Sequence, residues 1–153
     1  MGFFDGYNIA TSGMAAQRTR INVVSANIAN SQTTHTADGG PYKKQNVIFE
    51  EILLNKKDKN KDQNDLELSQ VKKSNQNIGV GIQQIVESKL DNIMRLEPNH
   101  PDANKDGYVA YPNINPVIEM TDLIEAMRSY EANLSAFQTQ KTMDDKTIDL
   151  LKA

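Results

Sequence analysis

DGYNIATSGMAAQRTRINVVSANIAN, residues 5–30, steps alternately by three and four through Tyr7, Ala10, Met14, Gln17, Ile21, Val24 and Ile28. At 3.6 residues per turn these positions fall on one stripe, the pattern a helix needs to pack lengthwise on another. Asp5 is placed to cap the helix, while Gly6 and Gly13 soften its first turns. The polar run Asn30-Ser31-Gln32-Thr33-Thr34, whose side chains compete for backbone hydrogen bonds, ends it. Such a helix spans roughly 35 Å. Ala10, Ala15, Ala16, Ala26 and Ala29 keep it slim, so that a second helix can approach closely.

The same rhythm returns at the other end. Met120, Leu123, Met127, Tyr130, Leu134 and Phe137 step by three and four, and the pattern resumes at Ile148 and Leu151. Asn115 offers an N-cap, Pro116 suits the first helical position, and Glu119 and Asp122 favour the positive end of the helix dipole. A helix starting at Pro116 and running close to the C-terminus would extend roughly 50 Å. Gln17 interrupts the first stripe, and Lys141 and Asp144 the second. A polar residue in a seam lowers stability but fixes register, and a helix of ~25 residues with small, flawed contacts is marginal alone in water. Both ends are therefore expected to become helical on assembly.

The middle carries a different pattern. Gly39-Gly40-Pro41 reads as a turn. Residues 47–54, VIFEEILL, are rich in branched side chains and read as a strand, with a short helix as the alternative, and Ile78–Glu87, IGVGIQQIVE, as a second strand, with Gly79 and Gly81 marking a bulge. Between them, residues 56–65 are charged and free of apolar side chains, the composition of a solvated, mobile loop. Residues 99–113, punctuated by prolines, read as loop. The expected fold is α+β and elongated. Long N- and C-terminal helices pair as a coiled-coil-like inner domain, with a small β-hairpin and loops in the middle. The expected divisions are 1–30, 31–115 and 116–153.

Bulk properties agree with an assembly device. The chain has 153 residues, 38% of them hydrophobic, and no Trp; its mean hydropathy is −0.60. That is little apolar material for a compact enzyme of this length and suits a molecule that buries its stripes between subunits. A net charge of −3 argues against nucleic-acid binding, which needs a concentrated basic face. With no Cys, disulfides and thiolate metal sites are excluded. No stretch approaches the roughly 18 consecutive apolar residues of a membrane span, so no direct membrane insertion is expected. The N-terminal residues lack the basic and apolar regions of a cleaved secretory signal and do not fit a myristoylation pattern.

Signals that resemble chemistry have plainer readings. Asp102-Ala103-Asn104-Lys105-Asp106-Gly107 matches the first half of an EF-hand loop, yet the twelfth position is Asn113 instead of the bidentate Glu, and Pro98 and Pro101 stand where a helix should enter. An Asx-rich turn with Gly107 at positive φ accounts for the same residues. His35 and His100 lie in separate polar loops without metal-ligand spacing. Ser12 and Ser25 have no nearby base, and Gly79-Val80-Gly81 lacks the rest of a dinucleotide fingerprint. No catalytic constellation, cofactor site or metal site is expected.

Asn22-Val23-Val24-Ser25-Ala26-Asn27-Ile28-Ala29-Asn30, preceded by Ser12-Gly13-Met14-Ala15-Ala16-Gln17, closely resembles the N-terminal signature of bacterial flagellar rod and hook proteins. Gly39-Gly40-Pro41-Tyr42, the stretch 108–117 (YVAYPNINPV) and Met127-Arg128-Ser129-Tyr130-Glu131-Ala132-Asn133-Leu134 narrow the resemblance to the proximal rod. The resemblance implies a structural, non-enzymatic subunit of the basal-body rod, which crosses the periplasmic space and transmits torque. It implies export without a cleaved signal through the flagellar type III apparatus. The partners it implies are other copies of the chain, other rod proteins, a rod-base adaptor and components of the MS ring and export gate. The assembly residues would be the two stripes, with Asn27 and Asn30 closing the first helix. A helical adaptor or dimerisation module outside any flagellum is the alternative; it would form a small closed oligomer.

Overall fold

The computed structural model describes residues 5–53 and 78–152. The charged run 56–65 and Leu54, the expected end of the first strand, lie outside the described residues. Helix α1 (Asp5–Ala29) is followed by strands β1 (Gln45–Leu53), β2 (Ile78–Glu87), β3 (Ile93–Leu96) and β4 (Tyr108–Tyr111), and then by helix α2 (Pro116–Lys152). The architecture is α+β: the terminal helices pack on each other, and two-stranded antiparallel sheets lie between them in the chain.

The helices run antiparallel. Near the start of α1, the Tyr7 ring meets Phe137 edge-on at 4.9 Å; further along, the Arg20 guanidinium lies 3.7 Å from Asp122 and 3.8 Å from Glu125. At the far end Asn27 bonds to Glu119. Helix α2 starts as its sequence dictates. Asn115 Oδ1 accepts the Val117 N–H at 3.0 Å, and Pro116, which has no N–H to satisfy, occupies the first helical position.

Close approach is built into the crossing. A Cβ on Gly13 would sit 2.8 Å from Asn133 Oδ1, inside contact distance. Gly13→Ala therefore overpacks the pair, a penalty of ~1–3 kcal/mol, against a gain of ~0.5–1 kcal/mol from better helix propensity. A net loss of about 1 kcal/mol is expected in urea melts. Because the clash involves one side-chain amide, Gly13→Ala/Asn133→Ala should melt at or above the wild-type midpoint, a non-additivity diagnostic of direct contact.

Strand β1 pairs with β2 from Gln45↔Glu87 to Leu53↔Ile78. The register slips between Ile48↔Gln84 and Phe49↔Ile82, so Gln83 is the extra residue. The bulge expected at Gly79 and Gly81 is thus corrected: both glycines pair regularly, and a Cβ on Gly81 would lie 2.7 Å from Ile52 Cγ2. Side-chain room, not backbone irregularity, is what selects glycine at position 81. The sheet lies against α1, where Ser12 Oγ accepts the Val80 N–H at 3.1 Å. Ala16 and Val23, which share that side of the helix with Ser12, are buried.

The loop expected over residues 99–113 is also corrected at its end. Tyr108–Tyr111 forms β4, paired in register from Ile93↔Tyr111 to Leu96↔Tyr108. Strand β3 is exposed along its length, so no alternation marked it. Tyr111 is the anchor: its hydroxyl donates to Glu97 Oε2 at 2.8 Å, and the Arg95 guanidinium stacks 4.5 Å above its ring. Val109, Tyr111 and Ile114 are buried just before α2.

Candidate assembly surface

The interior of the helix pair is more polar than its sequence stripes imply. Asn27, 1% exposed, uses all of its amide. Its Nδ2 donates to Gln45 O at 2.9 Å and to Glu119 Oε2 at 3.1 Å. Its Oδ1 accepts the Gln45 N–H at 2.9 Å and the Tyr42 hydroxyl at 3.2 Å. One side chain thereby ties α1 to the first residue of β1 and to the first turn of α2. Glu119 is itself 1% exposed, and Lys44 Nζ approaches its Oε1 to 2.6 Å, as a charge contact outside ideal hydrogen-bond alignment. Burial pushes the Tyr42 hydroxyl above the usual phenol range, aided by the nearby Glu119 and Glu87 charges. The cluster draws on three segments, α1, residues 42–45 leading into β1, and α2, so it forms only when the helices and β1 are aligned.

The other end of the pair is closed by Tyr7. A hydrogen bond to Asp144 holds its hydroxyl in the neutral form, and burial and the Asp144 and Asp145 charges add to the effect, so its pKa is pushed up to about 12 from 10.0. The folded-state pKa is raised. This contact therefore stabilises the pair fully below pH 10, and its contribution is lost as pH rises from 10 through about 12. Helix content followed by circular dichroism should fall in that window, and Tyr7→Phe should remove this part of the alkaline response while leaving those of Tyr42 and Tyr111.

The expected stripes map onto two different surfaces. On α1, Ala10 and Val24 are buried, and Tyr7, Met14, Ile21 and Ile28 are half-buried. Gln17 is drawn into the interior too, and its Oε1 has no hydrogen-bond partner among the described residues. On α2 the expected stripe divides. Leu123, Tyr130 and Phe137 are half-buried, but the positions that alternate with them on the inward side are Glu119, Ala126, Asn133 and Gln140, and not Met120, Met127 and Leu134, each one place on from the first three. Met120, Met127 and Leu134 are 53%, 46% and 38% exposed. Ile148 and Leu151 are 44% and 83% exposed. Hydropathy could not reveal the inward positions, because a small Ala, a paired Glu and two amides do not register as a seam.

The described loops add no chemistry to this arrangement. In the EF-hand-like run, Asn104 Oδ1 accepts the N–H groups of Asp106 and Tyr108, both at 2.9 Å, and Gly107 has φ +80°; this is the Asx turn. Beside Asn27 a cavity of about 180 Å³ opens between Arg20, Val24, Lys44, Phe49 and Asp122, smaller than the ~300 Å³ of a usual ligand cleft. No described helix is long and apolar enough to cross a membrane.

Two helices paired through a polar lock, with bulky apolar residues left facing solvent, define a protein built to pack on other proteins. Comparison with known proteins gives that class a name. Residues 8–34 match the family described as flagella basal body rod protein, and residues 105–150 match the C-terminal family of flagellar basal body rod FlgEFG proteins. Relatives align along nearly the whole chain. The flagellar basal-body rod protein FlgC of Borreliella burgdorferi is 38% identical, covering 99% of this chain and 99% of its own. The FlgC proteins of Bacillus subtilis and Salmonella typhimurium are 35% and 33% identical, over 99% and 98% of this chain and 100% and 98% of theirs. The chain belongs to the FlgC family of flagellar basal-body rod proteins. It is a structural protein of bacterial motility, not an enzyme.

Proposed function

We propose that this chain is a subunit of the proximal rod, with residues 1–30 and 116–153 as the inner assembly domain and residues 31–115 as the outward middle region. The observation that carries this reading is the apolar surface remaining after the helices have paired. Met120, Met127 and Leu134 lie exposed on a helix whose inner face is already occupied, and soluble monomers rarely leave such a contiguous stripe bare. In the rod it would be covered by neighbouring subunits, and torque would pass through many such helix contacts.

The partners are then other copies of the chain and other rod proteins, with a rod-base adaptor and the MS ring and export gate at the base. The subunit would reach the periplasmic space through the flagellar type III export apparatus without a cleaved signal. A marginal helix pair, with Gln17, Asn133 and Gln140 in its interior, suits a chain that must unfold for export, and the Asn27–Glu119 lock lets the pair re-form in the free subunit, ahead of the assembly-coupled folding that its stripes alone suggest. Deleting its gene should abolish swimming and leave basal bodies without an extended rod, with both restored by the wild-type gene in trans. Normal rods and swimming in the deletion strain would overturn the proposal.

A further inference from the structure

The outer face of α1 is a second regular stripe. Asn8, Thr11, Ala15, Arg18, Asn22, Ser25 and Ala29 step by three and four, and every one is exposed. Arg18 is its single charge. On α2 the exposed stripe Val117, Met120, Ile124, Met127, Glu131 and Leu134 steps in the same way, and Glu131 is its single charge. Among the described residues neither Arg18 nor Glu131 has an ion-pair partner. One stripe is thus bulky and apolar with an acid in it; the other is small and polar with a base in it.

We infer that the α2 stripe of one copy seats on the α1 outer stripe of a second copy, antiparallel, with Glu131 against Arg18. The inference rests on the rod-subunit reading and specifies which faces meet. With the two charges opposed in antiparallel sense, the steps run in phase: Leu134 falls on Ala15, Met127 on Asn22, Ile124 on Ser25 and Met120 on Ala29. In parallel sense the threes meet fours, and every second position falls one residue out of step. Large side chains on one helix then enter the gaps above small ones on the other, the knobs-into-holes arrangement. Size and charge are complementary between two surfaces of the same chain, which makes a second copy the occupant. The ion pair sits within the apolar stripe, where it sets register more than it adds strength.

The chain has no native cysteine, so the contact can be read by cross-linking without background. Ala15→Cys and Leu134→Cys are carried on separate genes in one deletion strain, and isolated basal bodies are oxidised. A disulfide-linked dimer is expected only when both variants are present, since each copy then holds one thiol. Separately, Arg18→Glu and Glu131→Arg alone should each reduce swimming severalfold, and co-expression of the two single variants should restore a substantial part of it. Intact rods and swimming with no cross-linked dimer would overturn the facing and leave the rod function standing. Single charge reversals without effect, or without recovery on co-expression, would overturn it equally. Swimming by the deletion strain itself would instead remove the underlying function.

Discussion

Replacing Asn27 by leucine is expected to lower the unfolding free energy by about 3–5 kcal/mol, the range for breaking a fully buried polar network that includes a charge. Leucine keeps the four heavy atoms and the branching of asparagine and is the larger of the two, so the loss comes from hydrogen bonding and not from a cavity. It strips partners from the N–H and C=O of Gln45, from the Tyr42 hydroxyl and from Glu119 Oε2. The backbone groups of Gln45 open β1, and Glu119 remains buried with Lys44 alone. Against a typical total of ~5–15 kcal/mol this is a large fraction of stability. A urea melt should show the midpoint falling at nearly constant slope. Asn27→Asp should fall further at neutral pH, because it removes the donor facing Glu119 and sets a second carboxylate beside it. Lys44→Met should lie between wild type and Asn27→Leu. A loss below about 1 kcal/mol for Asn27→Leu would show that the three segments are held by apolar packing and that the network is incidental.

Much of this fold was readable before the structure. The stripe from Tyr7 to Ile28 and the Asn115-Pro116 start of α2 are local signals, written in spacing and capping chemistry, and both appear where expected. The paired strands β1 and β2 were visible in their branched residues. What the sequence left hidden depends on partners distant in the chain. Glu119 reads as an ordinary acid near a helix start, and only the arrival of Asn27 and Lys44 makes it a buried charge. Gln83 carries no mark of a bulge, since the slip is set by how β1 meets β2. β3 is too short and too exposed to show periodicity, and Tyr111, which organises it, gains its role from Arg95 and Glu97. The choice between Ala126 and Met127 as the inward residue of α2 is the most instructive case. Hydropathy favours methionine, but it is Ala126 that is 0% exposed, in a helix pair close enough to set Gly13 against Asn133.

That choice makes adjacent substitutions separable. Ala126 is 0% exposed and Met127 is 46% exposed, so the same charge should do different damage at each. Ala126→Glu forces a longer side chain and an unpaired carboxylate into the helix crossing. It combines overpacking with burial of a charge, and about 4 kcal/mol or more should be lost. The purified subunit should then show reduced helicity at 25 °C and rapid proteolytic trimming at both ends. Met127→Glu places its carboxylate in solvent, and its melting free energy should move by less than ~0.5 kcal/mol. Both variants should fail to swim, for different reasons: the first lacks a subunit, while the second lacks the surface that meets its neighbours. Basal bodies from the Met127→Glu strain should contain little or none of the variant, although the soluble protein folds as the wild type does. Leu134→Glu should behave like Met127→Glu, and Leu123→Glu, half-buried in the pair, should behave like Ala126→Glu. If Met127→Glu unfolds the isolated subunit as severely as Ala126→Glu, the exposed stripe belongs to the core of the single chain. If it incorporates and swims normally, the stripe is no interface at all.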